Sequence, residues 1–165
     1  MNLFVLRHGK AEPSSPDGSD SGRALTADGK TEMKHVARWM RSGDYRFDII
    51  ATSPLVRSRE TAGIVAKSLG REDRIESWDE LAPGGDPDSV CYRASQFGNE
   101  ASVLIVGHEP DLSTLIGRII CGNGGSAAIV MAKGGLAKIR DFSFTSEPSG
   151  ELQWLLTPKL MTEGL

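Results

Sequence analysis

A chain of 165 residues with 39% hydrophobic and 25% charged side chains has an ordinary soluble globular composition. At this length folding buries roughly 70% of the extended chain's surface, so the fold requires no disulfide or metal staple. With 19 Lys and Arg against 22 Asp and Glu the net charge is −3, which argues against a general nucleic-acid surface and against charge-driven membrane attachment.

In chain order, residues 3–6 (Leu-Phe-Val-Leu) read as a short buried strand that stops at Arg7-His8-Gly9. Residues 9–25 are rich in Gly, Pro, Ser and Asp and form a long loop, of the length that in compact domains is usually a functional lid or disordered. Thr26 caps a helix whose buried face is Met33, Val36, Ala37 and Met40, and Gly43 ends it. A second strand covers 47–51. Ser53 is then an N-cap and Pro54 the first helical residue of a helix that runs to about Leu69, with Gly70 as its stop. Residues 74–78 read as a short strand, 81–87 as a loop and 88–96 as a helix. Residues 103–106 are the clearest central strand. Pro110 opens a helix ending near Gly122. Residues 128–131, 136–140 and 152–156 read as late strands, the last two antiparallel across a polar loop at 146–150. This alternation predicts one α/β domain over residues 1–165, with three layers and a mostly parallel sheet carrying helices on both faces.

No apolar stretch approaches the ~20 residues of a membrane helix. The N-terminal residues lack the pattern of a secretory signal, so a cytoplasmic protein is expected. Cys91 and Cys121 stand far apart in no metal-ligand spacing and are expected to be free buried thiols.

Three strand ends carry unusual polar groups. Arg7 and His8 follow the first strand, Ser53-Pro54-Leu55-Val56-Arg57 the second, and Gly107-His108-Glu109-Pro110 the strand at 103–106. Ligands in open α/β sheets bind beyond the carboxyl ends of the strands, so these junctions converge. Helix N-termini favour an anion there, and arginine forks match phosphate oxygens. The sequence has no phosphate-binding G-x-x-x-x-G-K-[ST] loop and no G-x-G-x-x-G after a strand. Its three histidines include no i, i+4 pair, so no metal and no cofactor is expected. Gly9 and Ser53 flank the four central residues. Arg23, at the end of the long loop, reads equally as a substrate contact or a salt bridge. Glu80 reads as a general acid or a surface carboxylate. Arg59 is expected at the surface.

Arg7-His8-Gly9 after a first strand resembles the signature of the histidine phosphatase superfamily, which includes the phosphoglycerate mutases. The short chain, Leu25-Thr26-Ala27-Asp28-Gly29, Ser53-Pro54-Leu55-Val56-Arg57 and Gly107-His108-Glu109-Pro110 resemble its SixA-type phosphohistidine phosphatase branch. Arg23-Ala24-Leu25-Thr26 stands where that branch commonly has Arg-Pro-Leu-Thr. The resemblance implies that His8 is a nucleophile and that Arg7, Arg57 and His108 bind phosphate. It implies metal-independent hydrolysis of phosphohistidine on a partner protein through a covalent phosphohistidine. His8 would attack as the neutral imidazole with its other nitrogen on a backbone carbonyl, and His108 would act protonated. The alternatives are a phosphatase or mutase for small phosphate esters and a non-catalytic phosphate-binding module.

Overall fold

The computed structural model describes residues 1–122, 125 and 127–163. Six strands, β1 (Asn2–Arg7), β2 (Ile49–Thr52), β3 (Ile75–Ser77), β4 (Ser102–Gly107), β5 (Leu136–Phe144) and β6 (Pro148–Leu156), build one sheet in the order β3-β2-β4-β1-β5-β6. The first four run parallel, whereas β5 is antiparallel to β1 and β6 to β5. Among the described residues five α-helices, α1 (Ala27–Ser42), α2 (Val56–Leu69), α3 (Pro87–Ser95), α4 (Asp111–Cys121) and α5 (Pro158–Thr162), complete the α/β architecture.

Strand side chains alternate between faces, and the inner strands here are apolar on both. Leu3 and Val5 of β1 join one buried cluster with Ala51, Val103 and Ile105, which α3 and α4 cover through Val90, Leu112, Leu115 and Ile116. Phe4 and Leu6 join a second with Ile50, Leu104 and Val106, covered by α1, α2 and α5 through Met33, Val36, Val65 and Met161. Each such Leu, Ile or Val contributes roughly 1.5–3 kcal/mol by leaving water. Helices therefore lie on both faces of the sheet.

One local expectation holds and several shift. The Thr26 side chain caps α1 by accepting from Gly29 N at 2.9 Å. α2 begins at Val56 rather than Pro54, and its N-cap is Leu55. Ser53 accepts from Leu55 N at 3.3 Å, so it shapes the approach to the helix instead of capping it. α3 starts at Pro87, where Asp86 supplies the cap. Residues 128–131 form no strand. Both edges of β1 are taken by β4 and β5, and β5 pairs on its other side with β6, so the sheet is completed by β5 and β6 and not by this apolar segment. Cys91 is buried as expected, but Cys121 is exposed at the end of α4. Burial pushes the Cys91 thiol up to about 12, leaving it protonated and inert.

Candidate active site

β1, β4 and β2 are parallel neighbours, so their carboxyl ends meet at one edge of the sheet. The backbone locks the three junctions together: His8 N donates to Gly107 O at 3.1 Å and Ser53 N to Val106 O at 3.0 Å. The turn before β5 closes the other side, where Gly134 N donates to the carbonyls of Arg7 and His8 at 3.1 Å. His8, His108 and Arg57 are all buried. The rings of His8 and His108 stand 5.1 Å apart, centroid to centroid.

His8 Nδ1 lies 2.7 Å from Gly9 O. A carbonyl only accepts, so Nδ1 carries the proton and Nε2 keeps its lone pair. Gly9 is in turn held by its N–H, which donates to Thr61 Oγ1 at 3.1 Å, while Thr61 donates to Arg57 O at 2.8 Å. A side chain at Gly9 would bring its Cβ to 2.7 Å from Met33 Cγ, so only glycine lets the segment lie this close to α1. Burial pushes the His8 imidazole down to about 4, and Arg57, Arg7 and Lys133 push the same way against the bond to Gly9. His8 is therefore neutral at physiological pH, as a nucleophile must be.

His108 Nε2 sits 2.8 Å from Ser53 Oγ and 3.2 Å from Ser58 Oγ. Hydroxyls donate or accept, so the pair suits either tautomer. Burial lowers the His108 pKa to about 3, with His8 and Arg57 adding to the effect. The protonated His108 expected from sequence is thus not the state of the free site: burial removes water from the ring, and Arg57 and Arg7 lie near it.

Arg7 Nη1 donates to Met131 O at 2.7 Å, and Arg57 donates to Asp20, from Nη1 to the backbone carbonyl at 2.8 Å and from Nη2 to Oδ2 at 3.0 Å. Arg7 Nε and His108 Nδ1 are buried with no hydrogen-bond partner among the described residues. The buried Arg57, the half-buried Arg7 and the nearby exposed Lys133 make an anion-seeking environment around a neutral imidazole.

The surrounding candidates divide. Arg23 joins the site indirectly, donating to Asp20 Oδ1 at 2.8 Å and to Glu12 O at 2.7 Å. Glu80 turns to Arg93, whose Nη1 lies 3.0 Å from Oε2 and whose guanidinium lies 4.6 Å from the centre of the Trp78 ring. Glu80 and His108 line one small cavity of about 20 Å³ together with Leu81, Val90 and Leu112, but no hydrogen bond or ion pair ties Glu80 to His8, Arg7 or Arg57 among the described residues. Arg59 is exposed.

Sequence reading missed Asp20, Ser58, Thr61 and Lys133. Ser58 and Thr61 had a signal: positions 58, 61, 62 and 65 form one inward stripe of α2, and two of the four are polar. Asp20 lies in a loop rich in polar residues and had none. Nor did Lys133.

Three comparisons bear on this geometry. The family model for the histidine phosphatase superfamily (branch 1) matches residues 3–83. Phosphohistidine phosphatase SixA of Escherichia coli K12 is 32% identical over 124 residues, 74% of this chain and 76% of that protein. A SixA homolog from Haemophilus influenzae is 34% identical over 129 residues, covering 73% and 75%. Among solved structures, the protein histidine phosphatase SixA complexed with tungstate superposes with a TM-score of 0.83 at 26% identity, covering 98% of this chain and 99% of that one.

Proposed function

The chain belongs to the histidine phosphatase superfamily, and we propose that it hydrolyses phosphohistidine carried by a partner protein through a covalent intermediate on His8. The observation that carries this reading is His8 itself: a neutral imidazole, its Nδ1 proton committed to Gly9 O, beside the buried Arg57 and the half-buried Arg7.

The reaction follows from these groups. His8 Nε2 attacks phosphorus in line, and the bond from phosphorus to the substrate imidazole breaks as the bond to Nε2 forms. Attacking and leaving groups are both imidazoles, so the first transfer is nearly balanced. The departing imidazole takes a proton from water. Water then attacks phosphorus, the bond to Nε2 breaks, and inorganic phosphate leaves with His8 neutral again. Arg7 and Arg57 bind the equatorial oxygens, where charge accumulates; such donors typically contribute around 3 kcal/mol each. A phosphate dianion also raises the proton affinity of His108, so the ring gains a proton, or shares one, when substrate arrives. The likeness to a SixA structure that holds tungstate, a tetrahedral oxyanion, supports the same reading.

The Glu80–Arg93 pair favours a phosphohistidine over a small ester. An alkoxide leaving group needs an acid, and the carboxylate nearest in sequence to that role is engaged elsewhere. No group of three or more metal-ligating side chains occurs among the described residues, and the proposed reaction uses no metal.

The test is to trap the intermediate from a labelled phosphohistidine protein in the presence of a chelator. Acid-labile, base-stable phosphate is expected on the wild type and absent from His8→Ala. Acid-stable label, or label that persists in the variant, would overturn the assignment of His8. Loss of turnover with chelator, restored by Mg²⁺ or Zn²⁺, would overturn the metal-free mechanism.

A further inference from the structure

We propose that Asp20, in the loop between β1 and α1, is a positioning residue that sets the Arg57 guanidinium for phosphate; the inference rests on the phosphatase reading above. Asp20 meets Arg57 twice, its carbonyl taking Nη1 at 2.8 Å and its carboxylate taking Nη2 at 3.0 Å. Among the described residues Arg57 Nε has no hydrogen bond, so the Nε edge stays available while the far edge is held. The other carboxylate oxygen accepts from Arg23 at 2.8 Å, and Arg23 is anchored on Glu12 O. Asp20 is thus a bridge between a buried guanidinium and a half-exposed one.

The loop around it is fastened to the same helix. Ser21 O accepts from Val56 N, the first amide of α2, at 3.0 Å, and Leu25 N donates to Glu60 Oε2 at 2.6 Å. The long loop 9–25 is therefore a strap fixed across the first turns of α2, with Asp20 at its point of contact. The two arginines hold the Asp20 carboxyl below its ordinary range, so it stays ionised.

A carboxylate beside a phosphate site has an opposing effect, because it repels the dianion. Exposure decides the balance. The Asp20 side chain is 60% exposed, so water and salt screen its charge, whereas the Arg57 side chain is 7% exposed. The guanidinium keeps its full geometric benefit: a long side chain is ordered before substrate arrives, and a misplacement of about 1 Å can cost 10²-fold in rate.

The experiment compares wild type, Asp20→Ala, Asp20→Asn, Arg57→Lys and the Asp20→Ala/Arg57→Lys double variant on a phosphohistidine peptide. Asp20→Ala should lower kcat/KM by about 10- to 100-fold with the melting temperature unchanged. Asp20→Asn, which keeps an acceptor oxygen, should lose less. In the Arg57→Lys background, removing Asp20 should cost almost nothing further, because its effect passes through Arg57. Multiplicative losses in the double variant would overturn the proposal, as would an Asp20→Ala protein at or above wild-type activity, which would make Asp20 a competitor for phosphate. Should the wild type hydrolyse no phosphohistidine, the phosphatase reading fails, and titration with inorganic phosphate decides the inference alone. Weaker phosphate binding by Asp20→Ala supports the positioning role, and equal or tighter binding overturns it.

Discussion

Replacing His8 with glutamine tests the electrostatic state of the site without any substrate. Folded His8 takes up its proton only near pH 4, whereas an unfolded histidine does so near 6.5. Between those values the unfolded chain binds more protons than the folded one, so stability falls as the pH drops through this window. Each tenfold difference in proton affinity is worth about 1.4 kcal/mol, so most of the effect of the His8 burial is in place by pH 4.5 and amounts to about 2 kcal/mol. Glutamine keeps a polar amide of similar size in the site but does not titrate. Urea unfolding at pH 7 and pH 4.5 should therefore show the wild type losing about 2 kcal/mol more than His8→Gln on acidification, or about 4–8 °C in melting temperature. His108 contributes an acid loss of the same sign in both proteins, and because His8 is one of the groups that lower its proton affinity, the variant sheds part of that loss too, which widens the difference in the same direction. Parallel acid dependence of the two proteins would refute the reasoning, because it would mean that His8 is protonated as easily in the folded chain as in the unfolded one.

Two further outcomes are expected. Arg57→Lys keeps the charge but loses the planar fork that meets Asp20 and phosphate, so kcat/KM should fall by about 10²–10³-fold, while the exposed Arg59→Lys should change stability by less than about 0.5 kcal/mol and leave turnover near wild type. Equal losses in steady-state assays of the two variants would show that phosphate is not met by the buried side of α2. Glu80→Gln should leave phosphohistidine turnover nearly unchanged and cost less than about 1 kcal/mol of stability, since its partner Arg93 is itself partly exposed. If assays on phosphate esters instead showed a loss of about 10²–10⁴-fold concentrated on poor leaving groups, Glu80 would be a general acid and the small-ester reading would prevail.

Sequence alone determined the features that depend on local chemistry. The apolar runs at 3–6 and 103–106 appear in β1 and β4 because strands of a parallel sheet, buried on both faces, must be apolar throughout. The gathering of Arg7, His8, Arg57 and His108 at one place was legible because each lies at or after a strand end, and strand ends of one direction share an edge. Thr26 was legible as a cap because capping is completed within three residues.

Only the tertiary structure decided what reaches across the chain. Local rules made Ser53 a cap, yet its hydroxyl goes to His108, 55 residues away. Residues 128–131 have the apolarity of a strand, but apolarity does not decide pairing, and the places beside β1 go to β4 and β5. Glu80 was open between acid and surface residue until Arg93 was brought to it from α3. Asp20 meets Arg57 across 37 residues of sequence, with no periodicity to announce it. The neutrality of His108 is of the same kind: the ring's own sequence neighbours are ordinary, and its low proton affinity comes from burial and from His8, Arg57 and Arg7 gathered around it. Hydrogen bonding and desolvation depend on distances in space, and those exist only once the chain has folded.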